Sequence, residues 1–138
     1  MPSRPLPVPD VSSAPYWEAC ARHQLTLPRC KQCGEFALPP DSTCPHCHSA
    51  DPQFSFEPVS GRGKVRTWTV IRQSFLQGFD VPFLLVDVQL DDQPGVRMIG
   101  RLLDGADAAL GLGDPVTVAF EDVAPGVSVP AFRLEKAA

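Results

Sequence analysis

Apolar residues occupy alternate positions in Leu84, Val86, Val88 and Leu90, with Leu85, Asp87 and Gln89 between them, which predicts a half-buried strand. Val96 to Leu103 predicts its antiparallel neighbour across the polar turn Asp91-Asp92-Gln93-Pro94-Gly95. Gly63 to Gln73, rich in Val, Thr, Trp and Ile, predicts the longest strand. Val116, Val118 and Phe120 alternate with Thr117, Ala119 and Glu121 after the breaker Gly111-Leu112-Gly113-Asp114-Pro115, and Val127 to Leu134 supplies a last, proline-interrupted edge strand. Five such strands, with Asp104 to Leu110 free to form a turn of helix between the third and fourth, predict a small Greek-key barrel of the OB type, with an open sandwich as the alternative.

Ahead of this region the periodicity changes. Residues 1–13, rich in Pro, Ser and Val, cannot bury a core and predict an extended arm. Ala14 to His23 predicts a short helix, with Ser13 as N-cap and Pro15 in the first turn. Tyr16 and Cys20 share one face and Trp17 and Ala21 lie beside them, an aromatic stripe suited to packing on the chain or on a partner. The chain therefore divides into an arm and docking helix over 1–27, a cysteine-rich module over 28–50 and a β domain over 51–138.

Sixteen prolines among 138 residues argue against a helix bundle, and the length excludes a large catalytic barrel, which needs about 250 residues. No run reaches the roughly 18 apolar residues of a membrane span, and the prolines of Met1 to Asp10 stand where a secretory signal carries its apolar core. A cytoplasmic location is the expectation, and in a reducing compartment paired cysteines hold metal in preference to forming disulfides.

Cys30-Lys31-Gln32-Cys33 and Cys44-Pro45-His46-Cys47 are two C-x-x-C units ten residues apart. Four thiolates at this spacing suit one tetrahedral zinc ion, and with every position filled by sulfur the ion is structural. His46 and His48 lie beside the second pair and are outside the expected ligand set, and Cys20 reads as a small buried hydrophobe. His23 reads as a solvated helix-end histidine, and no nucleophile motif accompanies it, so the chain is not expected to carry chemistry alone. Gly61-Arg62-Gly63 enters a strand, where phosphate-binding glycine loops open helices.

Arg62, Lys64 and Arg66 share one strand face, with Arg72 further along the same strand. They suit a solvated face, the phosphates of a nucleotide-bearing cofactor, or single-stranded nucleic acid helped by Trp68 and Phe75. The net charge of -4 argues against the last. Between Ser74 and Phe83 the residues Phe75, Leu76, Phe79 and Phe83 surround Gly78, an apolar loop that either closes a core or meets a partner.

The order of proline-rich arm, Tyr16-Trp17-Glu18, Arg29-Cys30-Lys31-Gln32-Cys33-Gly34, Cys44-Pro45-His46-Cys47, Ser60-Gly61-Arg62-Gly63-Lys64-Val65 and Val118-Ala119-Phe120-Glu121 resembles the zinc-ribbon plus OB-fold proteins associated with acyl-CoA metabolism. It departs from them at His48, where the second knuckle usually has glycine. The resemblance implies a mostly β chain of short helix, rubredoxin-like zinc ribbon and five-stranded OB barrel. It further implies a non-catalytic accessory subunit of a thiolase-fold enzyme (thiolase, acyltransferase or steroid side-chain aldolase) or of a MaoC-type hydratase, with catalytic residues on the partner. Tyr16, Trp17, Phe75, Phe79 and Phe83 are then the expected docking residues, and Arg62, Lys64 and Arg66 the expected contacts of the partner's acyl-CoA phosphates. The other reading is a zinc-ribbon and OB-fold protein that binds single-stranded nucleic acid.

Overall fold

The computed structural model describes residues 4–135 and is mostly β, with one short helix. Helix α1 spans Ala14–Ala21, followed by β1 (Thr26–Arg29), β2 (Ser55–Pro58), β3 (Arg62–Ile71), β4 (Phe83–Leu90), β5 (Arg97–Arg101), β6 (Pro115–Ala124) and β7 (Val127–Leu134).

The last five strands form one antiparallel sheet in the order β5-β4-β3-β6-β7. Its two ends meet, because Leu102 bridges Phe132 in parallel and the Leu103 N–H donates to the Phe132 carbonyl at 2.8 Å. Closure through a parallel contact between the third and fifth strands is the OB arrangement, which removes the alternative of an open sandwich and leaves β7 joined on both sides over part of its length. The alternation of β4 survives intact: Leu84, Val86, Val88 and Leu90 are buried and their neighbours half-buried. With Val65, Val116 and Phe132 they fill the barrel, and Leu25 and Leu27 from the segment that follows α1 join the same cluster.

Three local expectations change. Asp104 to Leu110 makes turns and no helix. Ser13 does not cap α1 with its side chain; Asp10 does, its Oδ1 accepting from the Ser13 N–H at 2.8 Å while Ser13 Oγ accepts from the Asp10 N–H at 3.0 Å. This reciprocal pair is a capping box set one turn earlier. Arg72 lies beyond β3, which ends at Ile71, and a bulge at Arg66 interrupts the alternation before that end.

Two strands absent from the sequence-based expectation frame the cysteine module. β1 and β2 pair antiparallel, Thr26 with Pro58 through Arg29 with Ser55. Arg29 also bridges Phe36, so the chain enters and leaves the module along one small sheet that packs on the barrel. No helix of the described residues is long and apolar enough to cross a membrane.

Candidate metal centre and docking face

The two C-x-x-C units fold into matching knuckles. In the first, the Cys30 N–H donates to the Glu35 carbonyl, the Cys30 carbonyl accepts from the Gly34 N–H, and the Gln32 N–H donates to Cys30 Sγ at 3.4 Å. In the second, Cys44 does the same with Ser49, His48 and His46, again at 3.4 Å to sulfur. The residue that closes each knuckle has a left-handed backbone, Gly34 at φ 80° and His48 at φ 63°. Glycine adopts this freely and histidine at a cost of about 1–2 kcal/mol, so the departure from the usual glycine is accommodated with strain.

All four Sγ atoms lie within 4.8 Å of one another. The Cys30–Cys47 and Cys33–Cys44 separations are 3.8 and 3.7 Å. A tetrahedron with metal–sulfur bonds of about 2.3 Å has edges of about 3.8 Å, so the four sulfurs stand where a bound metal requires them. The electrostatics agree. Backbone N–H groups of Cys47 and His46 draw the Cys44 thiol down to about 6. Cys33 and Cys47 receive similar help from Glu35 and Ser49 yet are pushed up on balance by burial and the neighbouring sulfurs. One thiolate suppresses the others, a conflict that a cation at the centre removes. The His46 Nε2–H donates to the Phe36 carbonyl at 3.0 Å, which commits that ring nitrogen away from the sulfurs.

Cys20 is fully buried and burial pushes its thiol up to about 11, as suits an inert core residue. His23 stands exposed at the helix end, as expected, and it also closes the helix. It is the left-handed residue (φ 58°) of a Schellman turn that ends α1, with Gln24 and His23 N–H groups donating to the Ala19 and Cys20 carbonyls. Its ring stacks on Phe120 with centroids 5.3 Å apart, and Nε2 meets Asp122 Oδ1 at 2.6 Å. Ser128 Oγ donates to the same Asp122 oxygen at 2.6 Å. The serine therefore bonds the carboxylate and not the imidazole, so the three residues clasp the helix to the β6–β7 hairpin and do not form a nucleophile–base pair. Neither His23 at the helix end nor its carboxylate partner announced this contact in the sequence, because Asp122 lies 99 residues away.

The other expected site residues separate. Tyr16 packs against the barrel core, and Trp17 is half-buried, facing the arm prolines Pro7 and Pro9 across a cavity of about 240 Å³. Phe79 and Phe83 stack at 5.6 Å, covered by the guanidinium groups of Arg4 and Arg101 respectively. Arg4 and Arg101 both pair with Glu121, which ties the arm to this aromatic pair. Phe75, at 91% exposure, stands clear of the fold, with exposed Leu76 and Val81 near it in the loop. Arg62, Lys64 and Arg66 each hold a carboxylate: Glu135 at 3.4 Å, Asp91 at 3.2 Å and Asp87 at 3.5 Å.

Two family descriptions match the chain in order. The ChsH2 rubredoxin-like zinc ribbon domain covers residues 17–53 and the ChsH2 C-terminal OB-fold domain residues 56–121. Among curated relatives, a probable enoyl-CoA hydratase alpha subunit of Thermomonospora curvata is 28% identical over 130 residues, 94% of this chain and 40% of the relative. The chain thus spans less than half the length of that relative. A DUF35 domain-containing scaffold protein of Methanothermobacter thermautotrophicus is 27% identical over 103 residues, 74% of this chain and 75% of the relative. A solved structure, described as Ltp2-ChsH2(DUF35) aldolase, superimposes with a TM-score of 0.80 at 27% identity, covering 93% of this chain and 98% of the other.

Proposed function

The chain belongs to the ChsH2 family of zinc-ribbon and OB-fold proteins, and from that premise we propose that it is a non-catalytic accessory subunit of an acyl-CoA enzyme, docking on a catalytic partner and helping to form its acyl-CoA site. The observation that carries this reading is the near end-to-end superposition on a chain of the Ltp2-ChsH2(DUF35) aldolase. A relative named as a scaffold protein, and another in which this unit is 40% of a hydratase alpha subunit, support the same division of labour. Among the described residues no serine, threonine or cysteine side chain hydrogen-bonds a histidine ring, in keeping with chemistry supplied elsewhere. The partner we favour is a thiolase-fold subunit, with a steroid side-chain aldolase foremost among its reactions, and the complex is cytoplasmic.

Cys30, Cys33, Cys44 and Cys47 hold one structural zinc in this reading, which supplies folding energy to a ribbon too small for a core of its own. Phe75 is the docking tip, while Tyr16, Trp17, Phe79 and Phe83 fix the helix, arm and loop behind it. Arg62, Lys64 and Arg66 meet the CoA phosphates by exchanging their carboxylates; the exposed pairs of Arg62 and Lys64 resist exchange by only about 0–1 kcal/mol each, and Arg97 stays beside Asp87 when Arg66 leaves it.

The test is a tagged, nuclease-treated pull-down from the native host, with mass spectrometry of the bound chains. Near-stoichiometric recovery of a thiolase-fold or hydratase subunit, whose turnover of acyl-CoA falls when this chain is withheld, is the expected result. Steady turnover by the isolated chain, or recovery only of nucleic-acid-dependent proteins, would remove the proposal.

A further inference from the structure

β3 pairs with β4 along nearly all of its length but with β6 only at Arg62, Gly63 and Lys64. Val65 then bonds the loop ahead of β6, its N–H donating to the Asp114 carbonyl and its carbonyl accepting from the Gly113 N–H. From Arg66 to Ile71 the edge of β3 opposite β4 meets no strand among the described residues. Nor does any loop supply a backbone hydrogen bond there. Thr67, Trp68 and Thr69 are exposed.

Closed barrels normally leave no such row of unpaired N–H and C=O groups, and proteins that keep one blunt it with lysine, proline or a bulge. Here the run Thr67-Trp68-Thr69-Val70-Ile71 is β-branched or aromatic throughout, and the bulge at Arg66 stands before it, leaving the run itself open. Leu112, 77% exposed, precedes the Gly113 that bonds Val65 and adds an apolar shelf beside the edge. We propose that this edge receives an extended segment of the partner subunit as an added strand. The inference rests on the accessory role and names the contact by which the partner is held.

Charge decides what kind of segment fits. Arg66 and Arg72 bracket the run. Asp87 is shared between Arg66 at 3.5 Å and Arg97 at 3.9 Å, so one carboxylate serves two guanidinium groups, and Arg72 has no ion pair among the described residues. The complementary strand is therefore about five apolar or β-branched residues, roughly 17 Å long, with an acidic residue opposite Arg72. A second copy of this chain fits poorly: antiparallel pairing centred on Thr69 sets Arg66 against Arg72 twice, and like charges directly opposed are destabilising.

Amide hydrogen exchange on the full chain, alone and in the complex recovered by the pull-down, tests this. Alternate amides between Arg66 and Ile71 are expected to slow by about tenfold or more in the complex, with Arg72→Glu weakening the complex by about tenfold. A complex that holds while these amides exchange as before would overturn strand addition and leave the accessory role standing. If no complex is recovered, the accessory role fails, and the edge is decided with the synthetic peptide Asp-Val-Thr-Val-Thr-Val-Asp and its N-methylated counterpart. Amide shifts at Thr67–Ile71 with the first alone carry the proposal; shifts with both, or with neither, overturn it. A concentration-dependent dimer that protects the same amides would also overturn it, in favour of a second copy.

Discussion

Cys44 is buried and anchors the second knuckle through its backbone as well as its sulfur, so replacing it tests the metal centre where the centre is most tightly built. Cys44→Ser keeps the side-chain volume and removes a soft thiolate, and the expected outcome is loss of most of the bound metal, with the ribbon unfolded by NMR and the barrel strands retained. Full metal content in the variant would contradict the assignment. The cysteines were legible from spacing alone because metal geometry constrains sequence distance, whereas the role of Gly63 was not. A Cβ added there would lie 2.5 Å from Val88 Cγ1 and 2.6 Å from the Gln89 carbonyl oxygen, so strands β3 and β4 approach too closely for any side chain. Gly63→Ala should cost about 1–3 kcal/mol, seen as a clear fall in melting temperature with zinc content unchanged. The second glycine of Gly61-Arg62-Gly63 is thus a packing requirement.

Elements were legible in proportion to their length and regularity. β4 shows alternation over eight residues and appears in the structure as read, while β1 and β2, four residues each with prolines at Pro28 and Pro58, carry no period to detect. They exist because pairing with one another and burial of Leu27 outweigh weak local preference. The end of α1 was hidden for a different reason, since its clasp joins His23 to a carboxylate distant in sequence. That carboxyl, Asp122, is held below the usual 3.8 by the Ser128 hydroxyl first and by His23 second. A carboxyl lowered in the folded state stabilises it above its unfolded value and loses that contribution as pH falls through the folded value. Acidification below about 4 should therefore loosen α1 from the β6–β7 hairpin, and Asp122→Asn should abolish that dependence. Hydrogen exchange of the α1 amides with and without the substitution is the measurement, and a dependence that persists in the variant would place its source elsewhere.

At the scale of the whole molecule, surfaces that hold the fold together and surfaces that await a partner have similar composition, which is why the aromatic residues of the arm, helix and loop read alike in the sequence. Burial separates them. Trp17 is half-buried between the arm and the β6–β7 hairpin, so Trp17→Ala should cost about 2–3 kcal/mol of stability through lost packing. Phe75 and Leu76, 91% and 58% exposed, contribute almost nothing to the fold, and replacing both with serine should move stability by less than about 0.5 kcal/mol. The same pair, if it docks, is an aromatic anchor with an aliphatic neighbour, and its loss should weaken the partner complex by about 30-fold, near the 2 kcal/mol of a hot spot. Calorimetric melting and a binding titration on the two variants give a crossed result. Stability falls in one and affinity in the other. A Phe75→Ser, Leu76→Ser chain that binds its partner as tightly as the natural one would move docking away from this loop, leaving the neighbouring open edge of β3, Arg66 to Ile71, as the surface on which the complex depends.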